Sequence, residues 1–202
     1  MYIPKLYREE DRQKILEFIN QNNFAVLVTY DGEKPIASHL PLEISEDKHD
    51  GLILYGHMSR ANPQWKTFSD SEALVIFQGA HTYISPRWYN HVNVPTWNYM
   101  NVHVYGKPRL VEGDELYAMM SRLVQRHEAQ SNYRLENLPQ DFVQKEVKGI
   151  VGLALAVTRL EASYKLSQNR NDEDYRNIII ELEKRTDASS HAVADAMKRY
   201  RP

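Results

Sequence analysis

Cysteine is absent from the 202 residues of the sequence. This excludes disulfide bonds, thiolate metal ligands and a cysteine nucleophile, and it fits a reducing compartment. Long hydrophobic runs are also missing, since the longest, IVGLALAV at 150–157, is far shorter than the roughly 20 residues of a membrane-spanning helix. The amino-terminal residues MYIPKLYREEDRQKI contain no apolar signal-peptide core. We therefore expect a cytoplasmic protein without a membrane anchor.

An excess of charge of one sign is lacking as well, because the formal net charge is −2 at pH 7. The chain therefore has no global basic field to draw it to nucleic acid or to an anionic membrane. Common catalytic motifs are missing too: a glycine-rich phosphate loop, a dinucleotide fingerprint, a His-Glu-x-x-His zinc motif and a nucleophile elbow. The eight histidines are not spaced as helical pairs and no carboxylate cluster accompanies them, so no metal site is predicted.

What is present is a series of apolar runs typical of β-strands. FAVLVTY and PIASHLPLEI, joined by a turn with Asp31-Gly32, predict a hairpin, and LILYGHM predicts a third strand after the turn EDKHDG. Further strands are predicted in ALVIFQG, in MNVHVYG with its continuation GKPRLVEG, and in IVGLALAVTRLEASYKLSQN, which has a possible break near Gly152.

Amphipathic periodicity predicts the helices. They are expected over 11–20, 114–130, 139–148, 172–185 and 190–201, the last of them capped by Ser189 or Ser190. SRANPQWKTF is predicted to be helical as well, with Ser59 as its cap. Because an early meander of strands is followed by a helical excursion and one late strand, the order does not fit a parallel βαβ sheet. It predicts an α+β fold, an antiparallel sheet or barrel with helices around it, in one domain over 1–202.

Three polar segments beside predicted strands are candidate ligand sites. In GHMSRANPQW, a hydroxyl and a guanidinium follow a strand end, where a phosphate or carboxylate can bind. In YKLSQNR, cationic and amide side chains end the last strand, and in SHLPL two polar residues interrupt an apolar strand that Pro41 restricts to an edge or bulge. Each has an ordinary alternative: a capped helix with a solvated arginine, a polar strand exit, or an edge strand in water.

A fourth segment, ISPRWYNHVNVPTWNYMNVHVYG at 84–106, concentrates aromatic rings, prolines and asparagines directly ahead of and within a strand. Two of the three tryptophans of the chain lie in it. Its rings would bury a large area at a subunit contact, where aromatic residues are enriched. The alternative is that Pro86 and Pro95 fix a connection which lays Trp97 and Asn101 beside a ligand.

Taken in order, ASHLPL, YGHMSRANPQW, GAHTYISPRWY, VPTWNYMNVHVYG and YKLSQNR resemble the PaiB family, described as FMN-binding negative transcriptional regulators. The resemblance covers nearly the whole chain. It implies a six-stranded antiparallel Greek-key split barrel of the FMN-binding type, with peripheral helices and carboxy-terminal helices at about 172–202. It also implies a homodimer with FMN in a groove between the subunits.

The resemblance also implies a set of cofactor-binding residues. They are Ser38, His39 and Leu40 on the flavin side; Ser59, Arg60 and, more weakly, Asn62 for the phosphate; Trp97 and Asn101 beside the flavin groove; and Lys165, Gln168 and Arg170, which would reach the cofactor across the dimer. The chemistry agrees, because the FMN phosphate carries about two negative charges and needs cationic donors. Its ring system needs apolar or aromatic walls.

Three functions remain open from the sequence. The resemblance implies repression of sporulation and protease synthesis, acting on DNA directly or through another protein. An FMN-dependent oxidoreductase is the second, although no catalytic base can be named beyond the weak candidates His39 and His103. A flavin-sensing module without DNA contact is the third. The last predicted helix has cationic residues only in its final turn, whereas recognition helices usually read bases from their amino-terminal part.

Overall fold

The computed structural model describes residues 1–47, 51–68 and 71–201, and within them the chain alternates long strands with short helices. The strands are β1 (Arg8–Glu9), β2 (Phe24–Tyr30), β3 (Pro35–Asp47), β4 (Gly51–Ser59), β5 (Ala73–Ile84), β6 (Thr96–Val111) and β7 (Ile150–Lys165). The α-helices are α1 (Arg12–Gln21), α2 (Gly113–His127), α3 (Gln140–Lys148), α4 (Asp172–Glu183) and α5 (Ala188–Tyr200). Short 3₁₀ helices cover Lys5–Tyr7, Pro63–Thr67, Pro86–Trp88 and Leu135–Asn137.

The strands form one sheet in the order β1-β7-β4-β3-β2-β5-β6, with an additional pairing of β6 and β7. Its registers are antiparallel; for example, Ser38 on β3 lies opposite Leu27 on β2, and His57 on β4 lies opposite Gly152 on β7. The predicted antiparallel α+β fold is therefore confirmed. The resemblance implied six strands, and the described residues form seven, because the two-residue β1 pairs with β7. Of the predicted turn EDKHDG, residues 48–50 lie outside the described residues.

The chain divides into two compact units. The first unit comprises Met1–Phe18, Gln78–His103 and Glu161–Pro202, and the second unit comprises Ile19–Phe77 and Val104–Leu160. Strands β5, β6 and β7 contribute residues to both units. The single domain expected from the sequence stays a prediction. No helix in the described parts of the chain is long and apolar enough to cross a membrane.

In the second unit, α2 packs on the sheet through a cluster of buried apolar residues. Ile53, Val111, Leu116, Met119 and Ala154 form this cluster. Gly152 permits the close approach, since a Cβ atom there would lie 2.7 Å from Leu116 Cδ1 and 2.9 Å from the Val111 carbonyl oxygen. The long strand predicted here is confirmed, and the possible break near Gly152 does not occur: β7 runs through this glycine, which keeps its pairing with β4 while making room for the helix.

In the first unit, α4 and α5 form the carboxy-terminal pair of helices that the periodicity predicted. Their facing apolar residues Ile178, Leu182, Val193 and Met197 are fully buried. The Tyr175 hydroxyl donates a hydrogen bond of 2.6 Å to the Met197 carbonyl oxygen. The cap of α5 was predicted wrongly: Asp187, not Ser189 or Ser190, is the cap residue, and its carboxylate accepts a hydrogen bond from the Ser190 backbone N–H.

The segment after β4 also differs from its prediction. Ser59 ends β4, and the following helix is a short 3₁₀ helix that starts at Pro63 and is capped by Asn62. The Asn62 Oδ1 atom accepts a hydrogen bond of 3.0 Å from the Gln64 N–H. Proline disfavours helical geometry in the residue before it, so the helix cannot begin as early as Ser59.

Candidate functional site

A cavity of about 440 Å³ lies in the second unit, between the polar part of β3, the end of β4 and the junction of α3 with β7. We call it the strand cavity. Five of the predicted flavin-binding residues line it: Ser38, His39, Leu40, Ser59 and Asn62. The other lining residues are Pro41, His57, Met58, Glu146, Gly149 and Ile150. The structure thus brings SHLPL and the residues after LILYGHM together at one concave surface.

Ser38 and Asn62 form a fixed polar pair in this cavity. The Asn62 Nδ2 atom donates a hydrogen bond of 2.7 Å to Ser38 Oγ, while Asn62 Oδ1 is held by the Gln64 backbone. The amide therefore has a defined orientation. Because Ser38 Oγ accepts from Asn62, its own proton remains available to a ligand.

His57 is a polar residue of this cavity that was not among the predicted flavin-binding residues. Its Nδ1 atom is buried and has no hydrogen-bond partner among the residues described. Burial lowers the pKa of the imidazole below its ordinary value of 6.5, so the ring is neutral at pH 7. A buried polar atom without a partner costs about 1–3 kcal/mol, which is the mark of a group that a ligand completes. A polar residue within the apolar run LILYGHM was the available signal.

Arg60, predicted to bind phosphate, is engaged elsewhere. Its Nε and Nη2 atoms donate hydrogen bonds of 2.9 and 3.0 Å to the carbonyl oxygens of Lys148 and Ile150, and its backbone N–H donates to Gly149. The Arg60 side chain does not line the strand cavity. We call these three bonds the Arg60 latch, because they tie the chain after β4 to the α3–β7 junction.

The remaining predicted residues belong to the first unit. Lys165 Nζ donates a hydrogen bond of 2.6 Å to Thr96 Oγ1 and lies about 6 Å from the ring centroids of Tyr7 (5.8 Å) and Tyr99 (6.0 Å). Burial, and then the charge of Arg170, lower the pKa of Lys165 from its usual value. These surroundings favour an incoming anion, which would offset both effects.

The segment KLSQNR forms a turn closed by its own side chains. Ser167 is the described non-glycine residue with a positive φ, 62°, and its hydroxyl donates to the buried Asn98 side chain at 3.0 Å. Both amide atoms of Gln168 bond the backbone, with Oε1 accepting from Leu166 N–H and Nε2 donating to the Tyr164 carbonyl oxygen. Gln168 therefore shapes the turn. The Arg170 guanidinium lies 4.7 Å from the ring centroid of Tyr89.

Trp97 and Asn101 lie on the same face of β6, because they are four residues apart on a strand. Trp97 is 52% exposed, with its ring centroid 6.2 Å from that of His81 and 6.1 Å from that of Tyr83. The Asn101 Oδ1 atom is buried and has no hydrogen-bond partner in the described ranges. Asn101 and His57 thus share the same signature, one in each unit.

The strand cavity suits the ring of FMN better than its phosphate. Its volume falls in the usual range for small-molecule sites, about 300–1,000 Å³, and it combines apolar walls with a few polar atoms. Neither lysine nor arginine lines it, and the carboxylate of Glu146 does. Arg60, the cation predicted for the phosphate, does not line the cavity, and Lys165 and Arg170, predicted to reach the cofactor across the dimer, are residues of the first unit. No group of three or more His, Asp or Glu side chains in the described residues is arranged to hold a metal ion.

Comparison with known proteins defines the class first. Residues 1–159 match the family described as "Putative FMN-binding domain". The fold is similar to that of the flavocytochrome Anf3 from Azotobacter vinelandii, with a TM-score of 0.60 and 14% identity over 87% of this chain and 78% of that one. The FAD and heme binding protein from Mycobacterium smegmatis gives a TM-score of 0.61 and 16% identity over 84% of this chain and 79% of that one. The chain belongs to this FMN-binding family. FMN, the cofactor predicted from the sequence, is therefore confirmed by the family match.

The particular relative is also clear. The chain is 41% identical to protease synthase and sporulation protein PAI 2 of Bacillus subtilis (strain 168), over 98% of this chain and 97% of that protein. The resemblance to the PaiB family is therefore confirmed over almost the full length.

Proposed function

We propose that this chain is a PaiB-type negative regulator of protease synthesis and sporulation, which binds FMN as a homodimer and senses the flavin. The observation that carries the flavin site is the strand cavity, which gathers five predicted residues around the unpaired Nδ1 atom of His57. The 41% identity to PAI 2 supports the regulatory role. Bound FMN would supply a redox-active ring, and the residues of this chain would hold and orient it.

We assign the roles by chemistry. Ser38, His57 and Leu40 would contact the isoalloxazine ring, since they offer a hydroxyl, a neutral imidazole and an apolar surface in one cavity. Lys165 and Arg170 would bind the phosphate of a cofactor held with the second copy of the chain. Their mutual repulsion, which lowers the pKa of Lys165, would be relieved by a dianion.

A specific observation favours regulation through another protein over direct DNA contact. The cations at the end of α5 and just after it are paired within the chain: Lys198 with Glu183, Arg199 with Glu17, and Arg201 with Asp172. Phosphate binding at this helix would have to break those pairs.

A homodimer is supported by the aromatic surface on β6 and β5. Trp97 and Tyr83 are 52% and 37% exposed and contact each other edge to face. Exposed aromatic rings of this kind are enriched at protein interfaces. We expect Trp97→Ala to lower both dimer stability and FMN affinity in sedimentation and titration. Tyr133→Ala, which removes an exposed ring from the second unit, should leave both unchanged.

The decisive experiment titrates the purified protein with FMN and, separately, with riboflavin, and measures binding by the change in flavin fluorescence. Riboflavin lacks the phosphate, so FMN should bind about tenfold or more tightly. Lys165→Met should remove this preference, whereas Lys145→Met on the exposed side of α3 should retain it. Absence of binding by both flavins would overturn the proposed site.

The regulatory half has its own test. Binding to the promoter of the chain's own gene and to random DNA should be compared over a range of salt concentrations, with and without FMN. We expect no preference for the promoter by the isolated protein. Tight, promoter-specific binding that persists at high salt would contradict regulation through another protein.

A further inference from the structure

A second cavity, of about 630 Å³, lies in the first unit. We call it the helix cavity. Tyr83, Ser85, Arg87 and Trp88 line it from the end of β5 and the 3₁₀ turn that follows, and Asn177, Ile180, Glu181 and Arg185 line it from α4 and the residues after it. Helix α4 lies beyond residues 1–159, the part matched by the FMN-binding family. The family assignment therefore does not account for this cavity.

Arg185 is held in place by buried hydroxyl groups. Its Nη1 atom donates hydrogen bonds of 3.0 Å to Thr82 Oγ1 and 3.4 Å to Ser190 Oγ, and these two oxygens are 2.9 Å apart. Thr82 and Ser190 are 5% and 0% exposed. The guanidinium also lies 4.9 Å from the ring centroid of Trp88. A guanidinium fixed on one edge is pre-organised to donate from the other.

The charge balance of the lining favours an anion. The exposed Arg87 side chain forms no ion pair or side-chain hydrogen bond with any described residue. Glu181 is the single carboxylate among the lining residues, and its charge is already paired with Lys184 Nζ at 2.5 Å. Two guanidinium groups thus line the cavity against one carboxylate, which is itself ion-paired with a lysine outside the lining. An oxyanion can accept paired hydrogen bonds from such groups.

Three of the other lining residues, Tyr83, Trp88 and Ile180, offer aromatic or aliphatic surface, and the remaining two, Ser85 and Asn177, are polar. Tyr83 and Ile180 are 37% and 48% exposed, and the Trp88 ring, also part of the lining, is only partly covered. Aromatic and aliphatic surfaces beside two cations match a ring that carries a negative group. We propose that the helix cavity binds a small aromatic oxyanion, a ring bearing a carboxylate or a phosphate. This site is separate from the strand cavity, but it shares Tyr83 with the proposed dimer surface and therefore requires the cavity face of Tyr83 to stay accessible in the dimer.

The test is calorimetric titration of the full chain with four probes. Benzoate and adenosine 5′-monophosphate carry a ring and an oxyanion, inorganic phosphate lacks the ring, and benzyl alcohol lacks the charge. We expect one of the two aromatic oxyanions to bind at one site per chain, and both incomplete probes to bind roughly tenfold or more weakly. Benzoate against adenosine monophosphate then distinguishes a carboxylate ligand from a phosphate ligand.

Matched variants locate the site. Arg87→Ala should weaken binding roughly tenfold, because it removes one charged donor whose side chain has no structural partner in the described chain. Arg176→Ala removes an exposed arginine of α4 outside the lining and should have no effect. Absence of binding by both aromatic oxyanions, benzyl alcohol binding as tightly as benzoate, or equal losses in the two variants would overturn the proposal.

FMN is itself an aromatic phosphate, so its binding is measured in the same variants. We expect Arg87→Ala to leave FMN affinity unchanged. If Arg87→Ala weakened FMN as much as the probe, the helix cavity would be the flavin site and the proposal of a separate site would be overturned. Another outcome is that FMN fails to bind while the aromatic oxyanion binds and its binding is weakened by Arg87→Ala. That result would overturn the proposed flavin site and leave the helix-cavity proposal standing.

Discussion

The strand cavity and the helix cavity differ in how their polar groups are satisfied. In the strand cavity, Ser38 and Asn62 bond each other, and His57 presents a neutral, unpaired nitrogen. In the helix cavity, Arg185 keeps its charge and is anchored by two buried hydroxyls. The first arrangement suits the polar edge of an uncharged ring, and the second suits an anion. Two cavities of one chain, of about 440 and 630 Å³, thus suit ligands of different charge.

The largest expected effect on stability comes from the contact between β3 and β4, the two strands that carry most of the strand cavity. A Cβ atom at Gly56 would lie 2.4 Å from Leu42 Cδ2 and 3.0 Å from the Pro41 carbonyl oxygen, so Gly56→Ala forces β3 and β4 apart. We expect it to lower the free energy of unfolding by about 1–3 kcal/mol in urea denaturation. Gly149→Ala is the control, since its added Cβ would meet only the Glu146 carbonyl oxygen, at 3.2 Å. An equal loss in both variants would contradict the tight packing of β3 on β4.

The next effect separates binding from stability. His57→Leu removes the unpaired nitrogen, so we expect the free protein to gain about 1 kcal/mol in the free energy of unfolding. The same change should weaken FMN roughly tenfold, because the ligand loses its partner. Thermal unfolding and flavin titration measure the two effects, with the exposed His127→Ala as control. A His57→Leu protein that is less stable and binds FMN normally would show that His57 is a packing residue.

In the helix cavity, removing a polar group should lower the free energy of unfolding, whereas His57→Leu in the strand cavity should raise it. Thr82→Val deletes one of the two acceptors that anchor Arg185, so the Arg185 Nη1 atom keeps only its longer hydrogen bond, of 3.4 Å, to Ser190 Oγ, and Ser190 loses its hydroxyl partner. We expect a loss of about 1 kcal/mol in the free energy of unfolding together with weaker binding of the aromatic oxyanion. Chemical denaturation and calorimetry measure both. Unchanged oxyanion affinity would show that the anchor does not contribute to the site.

The smallest effect concerns pH. Burial lowers the pKa of His57 in the folded protein below its ordinary value of 6.5, so the unfolded chain binds a proton at a pH where the native state does not. Above pH 6.5 the two states match; as the pH falls below 6.5, stability declines until the folded pKa is reached. His103 adds the same dependence, since burial lowers its pKa too. His57→Leu should therefore flatten, not abolish, the fall of the melting temperature between pH 7 and pH 5. An unchanged slope would contradict the shift at His57.

The strand cavity was predictable in part, because five of its eleven lining residues, all within SHLPL and GHMSRANPQW, were predicted to bind the cofactor, whereas the residues from the α3–β7 junction were not foreseen. The hydroxyl of Ser38 and the amide of Asn62 were both identified before the structure placed them 2.7 Å apart. His57 was missed because a lone histidine on a strand is more often a packed residue than a ligand. Arg60 was predicted to bind the phosphate. Its side chain instead bonds the carbonyl oxygens of Lys148, at the end of α3, and Ile150, at the start of β7, so it does not line the cavity.

The helix cavity was not predictable from spacing. Arg185 and Thr82 are separated by 103 residues, so no local pattern links them. The boundaries of the helices followed from amphipathic periodicity, but the caps did not, because Asp187 and Asn62 compete with nearby serines for the same backbone N–H groups. The fold class and part of the strand cavity are thus encoded in short segments, whereas the helix cavity exists only through tertiary packing.

The Arg60 latch bears on the rate of ligand exchange as well as on the fold. Its three hydrogen bonds join Arg60 to the carbonyl oxygens of Lys148, Gly149 and Ile150, and the last two residues are walls of the strand cavity. Widening the cavity on that side requires these bonds to break, so we expect the latch to lengthen the residence time of a bound molecule. A variant such as Arg60→Met would exchange its ligand faster in stopped-flow measurements while its equilibrium occupancy changed much less.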